Sequence, residues 1–445
     1  MKPLSRFRLK DIRKKNGSST VFLAIAFVAF AVCIAGSIGI SRKLTVMSEC
    51  QAFGRVWTKA ILSEYDRHLL EDYCLMAYWG NEAEVNRKID SYLDYSASGK
   101  LNIRIGSTVS DLMGYELGDP DNFRKALKKG FAASVAESIF SGIDRKARQI
   151  NAESDADEPV EGRSIGNTVV LDTLPSGGIK GTVSGDSLAE RARSLRDEEG
   201  VRNAAASTGI ETAFIWKYFS SYVTAADNRP HYFNNELEYV IRGSPDDDVN
   251  YEACRKRIFL MRNTLNLVSL YKDRSKVELI AAAAELITPG PLGAATQVLI
   301  SEAWAALETE EDLKTLYSNG RVPVIKTSDQ WQTDLSSVLD SSNVNKKLDE
   351  ESRQLLDENR EEISSLPGFN KAAEVLTEGL SYDEHLMIMI MCLNRNIRLL
   401  RLMDIVQINM KYRYYRDFNL MEYYTGVRYA ISADGRDYVF EDSYR

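Results

Sequence analysis

Cysteine and histidine are scarce in this sequence, and that scarcity excludes several chemistries. Five cysteines (Cys33, Cys50, Cys74, Cys254, Cys392) and three histidines (His68, His231, His385) are spread over 445 residues. None fall at the short repeated spacings of a structural zinc site, and the cysteines make no disulfide framework. Cys50 and Cys74 read as lying on one helix, roughly 36 Å apart at helical rise, too far to bridge. Cys254 with Cys392 is the one pairing left open. No glycine-rich loop leads into Gly-Lys-Ser/Thr after a strand, so a phosphate loop is absent. There is no internal repeat and no nucleophile–base–orienter set. No catalytic, cofactor-binding or metal-ligating residue is therefore expected, and the chain reads as a non-enzyme without a cofactor.

Positive charge is also in short supply, except at one end. The net charge is −8. Residues 1–16 hold seven Lys/Arg (Lys2, Arg6, Arg8, Lys10, Arg13, Lys14, Lys15) against Asp11 alone, which leaves −14 on the rest. An acidic surface keeps a domain soluble and disfavours nucleic acid as a partner.

What is present is one long apolar run. Thr20 to Ile40 (TVFLAIAFVAFAVCIAGSIGI) has twenty-one residues with no charge and no proline. At about 1.5 Å per residue it covers roughly 30 Å, the thickness of a bilayer's hydrocarbon core. The basic leader in front predicts a cytoplasmic N-terminus and an extracytoplasmic remainder. A buried core helix and a cleaved secretory signal, with Ala35-Gly36-Ser37 as its site, are the alternatives.

The organisation that follows is a leader (1–16), a transmembrane helix (17–41), a helical stalk (42–80), a strand-plus-helix segment (81–150), a flexible acidic, Gly-rich loop (151–187) and a helix-rich extracytoplasmic domain (188–445). The fold class is α+β, mostly helical, with a small antiparallel sheet. In the stalk, apolar residues recur with a 3.6 period from Val46 through Phe53, Trp57, Ile61, Leu69 and Tyr73 to Ala77, and Gly80-Asn81 reads as its C-cap. Gly36 and Gly39 read as points of close helix packing in the membrane. Leu101 to Leu117 alternates like one or two strands. Asp121 or Asn122 is expected to cap a helix over 123–149, and another helix is expected over 187–226, with the aromatics Phe214, Trp216, Tyr218, Phe219 and Tyr222. Asp246-Asp247-Asp248 lacks the spacing of a calcium loop and reads as a helix start.

Helices are expected over 250–271, 275–287 and 293–317, the last two forming a hairpin around Pro289-Gly290-Pro291. Val322 to Lys326 reads as a strand, and 333–364 as mostly helical. Gly379 reads as the cap of a short helix. Ser381-x-x-Glu384 is a capping box opening a single buried helix to Met410, whose methionines read as core filler. Phe418 to Phe440 reads as a hairpin turning at Asp434-Gly435.

Two resemblances add to this. The basic leader, Gly17-Ser18, then Val21-Phe22 heading the apolar helix is similar to the N-terminus of tight-adherence (Tad) pilus proteins of the TadE and TadG types. That similarity implies prepilin-peptidase cleavage between Gly17 and Ser18, with prepilin peptidase as a partner. Pilins carry Glu five residues after the cleaved Gly, and here Phe22 stands there, which argues against a main filament subunit. Ser48-Glu49-Cys50, Leu62 to Asp66, Tyr73 to Tyr78, Val322 to Thr327 with Trp331, Leu380 to Leu386 and Arg401 to Asn409 resemble an uncharacterised clostridial membrane-protein family of unknown function associated with Tad-like pilus genes. This resemblance covers most of the chain and implies no catalytic residue.

Together these features make the expected function non-enzymatic. The chain would be a minor pseudopilin-like or assembly component of a Tad-like pilus or secretion apparatus. Its partners would be the lipid bilayer and other pilus subunits, through the N-terminal helix. A membrane-tethered surface hydrolase, whose carboxylates converge only on folding, and an extracytoplasmic ligand-binding or sensor module are the alternatives.

Overall fold

The computed structural model of the chain describes residues 12–97, 105–140, 174–177, 209–226, 229–373 and 376–444. It is mostly helical with two small antiparallel sheets, the class the sequence implies. Two compact units alternate along the chain. The first takes Met1–Asp66, Ala77–Glu116 and Glu422–Arg445; the second takes Arg67–Met76 and Leu117–Met421. The expected boundary at 187/188 lies outside the described residues, and the C-terminal hairpin belongs to the same unit as the N-terminal helix.

The first unit is built on helix α1 (Ile12–Leu62), 51 residues long. Residues 19–45 carry the apolar run and are bare. From Val46 onward a stripe at helical spacing turns inward: Val46 and Cys50 meet Ala433 and Tyr438, and Phe53, Trp57, Ile61 and Leu62 enter a core with Val427, Tyr429 and Ile431. A stripe at positions i, i+4, i+7 and i+11 is what lets one helix face cover a sheet. That sheet has strand order β2 (Ile105–Asp111), β4 (Gly426–Ala433), β5 (Arg436–Ser443) and is antiparallel throughout. Asp434 and Gly435 join β4 to β5 as a two-residue turn with both φ positive, 49° and 76°, the turn whose twist matches the strands it joins. The Phe440 ring lies directly over Gly54, so an added Cβ there would overlap it. Gly54 is thus where α1 approaches the sheet closely. Helix α3 (Glu82–Ala97) contributes Val85, Ile89 and Leu93 to the same core. Strand β1 (Tyr78–Trp79) pairs with β3 (Tyr423–Tyr424).

The expected unbroken stalk to residue 80 is corrected. Helix α1 ends at Leu62, and helix α2 (Arg67–Tyr73) is separate and short. Asn81 opens a helix rather than closing one: its Oδ1 accepts from the Glu84 amide at 2.9 Å, the N-cap of α3. Cys50 and Cys74 therefore do not share a helix, and all five cysteines are free.

In the second unit, α4 (Pro120–Phe140) is capped by Asp119, which accepts from the amides of Asp121 and Asn122. The cap is two or three residues earlier than expected, because proline fits the first turn where no amide is needed. Phe123, Leu127 and Phe131 bury one face. Gly130 passes so close to the Cys74 carbonyl oxygen that an added Cβ would overlap it. Backbone cannot move aside as a side-chain tip can, so Gly130→Ala is expected to destabilise this unit by about 3 kcal/mol, the upper range for overpacking. A thermal melt unchanged within 2 °C or so would contradict that contact. Helix at 209–218 delivers Phe214 and Tyr218, which pack with Phe131, Phe219 and Tyr73. Trp216 and Tyr222, expected in the same cluster, stay partly exposed.

Helices α5 (Glu236–Arg242), α6 (Asp247–Lys272), α7 (Arg274–Ile287) and α8 (Gly293–Tyr317) follow. Asp246 caps α6 through the amides of Asp248 and Val249, so the acidic triplet starts a helix, as read. The α7–α8 hairpin turns at Gly290, φ 85°, and buries Ile280, Ala283, Ala284, Ile287, Ile300 and Trp304. Four short helices at Leu335–Leu339, Ser342–Lys347, Glu350–Glu358 and Arg360–Ser364 cover this core.

Val322 to Lys326 is not a strand. Val322 forms a lone bridge with Leu380, and side chains of α6 take the neighbouring backbone groups: Arg262 donates to the Pro323 carbonyl at 2.8 Å, and Ser269 Oγ accepts from the Lys326 amide at 3.1 Å. No helix precedes Gly379 among the described residues from 366 on. It carries φ 116°, packed against Val322 and Pro323. The capping box at Ser381 and Glu384 is present. The single helix expected to Met410 is two, α9 (Tyr382–Cys392) and α10 (Arg395–Arg413), because the Asn394 side chain caps a new start at the Asn396 amide. Residues 1–11, 98–104, 141–173 and 178–208 lie outside the described residues, and with them most of the leader's charges, the expected strand at 101–104, the helix ends at 141–149 and 187–208, and most of the loop. Of that loop, 174–177 form a turn with Leu174 buried and the Ser176 amide bonded to Asp404 at 2.9 Å.

Candidate membrane anchor and buried ionic centres

Two features stand out: a helix with no protein around it, and charges with no water around them. In α1 the residues from Ser19 to Thr45 are all exposed. Phe22, Phe27 and Phe30 are 73%, 74% and 67% exposed, and none of the helix's most apolar window is buried. Eleven Val, Leu, Ile and Phe side chains lie between 20 and 40. Presenting them to water forfeits the burial that stabilises most helices, and the segment has the length and apolarity of a membrane anchor or a signal sequence. The helix runs through Gly17-Ser18 without interruption. Gly36 and Gly39 have nothing within 4 Å of where a Cβ would stand, so another helix has room to approach there.

The second unit holds a closed ionic centre. Asp312 Oδ2 accepts from Arg262 Nε at 3.0 Å, Arg262 Nη2 at 2.9 Å and Asn266 Nδ2 at 2.8 Å. Its Oδ1 accepts from Lys326 Nζ at 2.5 Å, and Lys326 also pairs with Glu308. Glu308 takes the amides of Gln332 and Thr333 at 2.9 and 2.8 Å and the Thr333 hydroxyl at 2.5 Å. All four charged side chains are fully buried. Two cations meet two carboxylates, and every carboxylate oxygen is occupied by donors. The arrangement is electrically neutral and saturated, which suits structure rather than chemistry. Beside it the Lys276 ammonium lies 4.3 Å over the Trp304 ring and 4.9 Å from Trp331. Burial pushes that ammonium down to about 8.

Around α5 more carboxylates converge. Glu236 accepts from Asn409 at 2.6 Å and the Ser220 amide at 2.8 Å, and meets His231 Nδ1 at 2.8 Å. Asp72 receives Arg229 and, at 2.8 Å, Arg413. Asp383 accepts from Ser221 and Thr224, and Glu238 from Tyr222 and Tyr382. Burial pushes the Glu211 carboxyl up, and the guanidiniums of Arg395 and Arg398, at 2.8 and 2.6 Å, more than offset it, so that it lies below its ordinary range.

The carboxylates of these centres stand in closed settings. The clefts lie elsewhere. One of about 490 Å³ runs between α1 (Arg55, Lys59) and β5 (Glu441, Asp442); another of about 420 Å³ lies beside α6, lined by Asp248, Glu252 and Lys256 of one helix face with Arg242 and Arg257. Among the described residues no three His, Cys, Asp or Glu side chains are grouped to hold a metal. The methionine run places Met387 in the core. Sequence reasoning missed the ionic centres altogether. A signal existed: Arg262, Asn266 and Ser269 fall at i, i+4 and i+7 on α6, and Glu308 and Asp312 at i and i+4 on α8. Polar residues at that spacing ordinarily mark a solvated face.

Residues 160–435 match DUF5702, a family of unknown function. No curated protein and no solved structure matches the chain.

Proposed function

The chain belongs to the DUF5702 family, whose function is unknown, and we propose that it is a membrane-anchored, non-enzymatic extracytoplasmic protein acting as a minor pseudopilin-like or assembly component of a Tad-like pilus or secretion apparatus. One observation carries the reading: α1 is a single helix whose apolar first half is bare and whose second half is the spine of a folded unit. A rod of that kind is stable only in lipid or against other such rods. The basic leader supports an N-terminus on the cytoplasmic side. Gly17-Ser18 ahead of the apolar run supports recognition by prepilin peptidase, and Phe22 in place of the pilin glutamate supports a minor role.

The test is the mature N-terminus, read by mass spectrometry of the protein extracted from membranes, together with protease treatment of intact protoplasts. The expected results are a chain beginning at Ser18 and digestion of everything beyond residue 62. An intact Met1 with an accessible exterior would leave a plain anchor and remove the pilin-like route. A C-terminal portion protected from protease would reject the proposed orientation.

A further inference from the structure

Glu238 lies mid-way along α5 and is fully buried. Its Oε1 accepts from the Tyr222 amide at 3.1 Å and the Tyr382 hydroxyl at 2.8 Å. Its Oε2 is buried and has no hydrogen-bond partner. Among the described residues no Lys, Arg or His forms an ion pair with it. The groups that face it are Tyr382 and Asp383 from α9, Cys254 from α6 and, beyond Tyr382, Tyr317 from α8. Arg257 of α6 acts on Cys254. The charged groups of α10 are engaged by other parts of α5: Arg401 donates to the carbonyls of Val240 and Ile241, and Asp404 accepts from Tyr239. On α5 itself, Glu236 is held by Asn409 and His231, and Arg242 closes the helix. An ionised Glu238 would thus have a naked oxygen, no counter-charge and a carboxylate for a neighbour. Burial pushes its carboxyl up from 4.5 to about 7, outweighing the bonds from Tyr222 and Tyr382 that favour the ionised form, and the charge of Asp383 adds a smaller upward push.

What Glu238 holds is the segment 219–226. Three carboxylates pin it: Glu236 takes the Ser220 amide, Glu238 the Tyr222 amide, and Asp383 the hydroxyls of Ser221 and Thr224. The segment presents Tyr222, 45% exposed, stacked at 4.2 Å on Tyr251 and edge-on to Tyr317 at 5.9 Å.

We propose that Glu238 is the proton-sensing group of a latch: carrying a proton, it keeps segment 219–226 and its tyrosine platform closed against α5 and α9, and on losing the proton it lets the segment open. The sign follows from linkage. The closed form binds the proton more tightly than the open form, so between about pH 4.5 and 7 closure weakens as pH rises, and above that window it changes no further. A domain outside the cytoplasmic membrane meets external pH, so an acid-closed latch would change its tyrosine surface with the medium. The latch itself does not rest on that location.

The experiment is hydrogen exchange of full-length protein in detergent micelles, corrected for intrinsic rates, followed at the Tyr222 amide. The opening constant is expected to rise about tenfold per pH unit from pH 5 to 7 and then level off, the slope of a single linked proton. In Glu238→Gln the profile is expected to be flat. A flat profile in the unaltered protein, or the same slope surviving in E238Q, overturns the proposal. If E238Q does not fold, Asp383→Asn decides: the levelling point should move to lower pH, and an unmoved one overturns the latch.

Discussion

Replacing Asp312 by alanine is expected to cost the second unit about 3–5 kcal/mol, the usual penalty for breaking a buried pair from one side. The variant keeps Arg262, Lys326 and Glu308 in place, so two buried cations face one carboxylate. Arg262 also loses both bonds to Oδ2, and Asn266 loses an acceptor. For a unit of this size that penalty lowers the melting temperature by roughly 10 °C. The change is readable in the fluorescence of Trp304 and Trp331, because Trp304 donates to Thr333 at 3.1 Å and Thr333 donates to Glu308. Asp312→Asn keeps the shape and one acceptor oxygen and is expected to lose less. Replacing all four charged residues by apolar side chains of similar volume is expected to cost less than D312A alone, since no charge is then left without its partner. If D312A melts within 2 °C or so of the unaltered protein, the centre is hydrated and the closed description of it is wrong.

The second large effect concerns α1. Phe30 and Ala31 lie at the middle of the apolar run, and Phe30 is bare. An arginine at the centre of a membrane helix costs about 2.5–3.5 kcal/mol on the insertion scale, so Phe30→Arg with Ala31→Arg costs about 5–7. The eleven Val, Leu, Ile and Phe side chains of the run contribute about 0.3–0.6 kcal/mol each on the same scale, a total of similar size. The double variant is expected to leave the carbonate-resistant membrane fraction. The pair Phe30→Leu with Ala31→Leu should remain in it. Retention of the arginine variant would mean that another part of the protein holds the membrane.

Much of this fold can be read in the residue order, for local reasons. The span of α1's bare half follows from an uninterrupted apolar run, the start of α6 from Asp246, the turn between α7 and α8 from Pro-Gly-Pro, the start of α9 from Ser381 and Glu384, and the last hairpin from Asp434-Gly435. Each is decided by one contiguous stretch of the chain. The misses share a different cause. Asn81 and Asn394 are residues that serve either end of a helix, and only the surrounding chain selects the N-cap role. Val322 to Lys326 has the pattern of a strand, but its backbone partners are side chains of α6 some sixty residues earlier. Lys326, Glu308 and Asp312 look like surface charges until Arg262 is brought to them. Of the candidate anchor nearly all was legible, and of the ionic centres almost nothing, because neutrality is a property of the assembled set and of no single stretch.

The alternation of the two units along the chain has a consequence for the order of assembly. Trp57 and Ile61 emerge early, yet the strands that cover them, β4 and β5, begin only at Gly426. Until residue 443 has been made, the helix keeps its greasy inner stripe uncovered. Shortening the chain by its final hairpin would therefore strip the cover from its beginning, and a bulky fusion at the C-terminus would sit beside an edge strand instead of at the end of a loose tail.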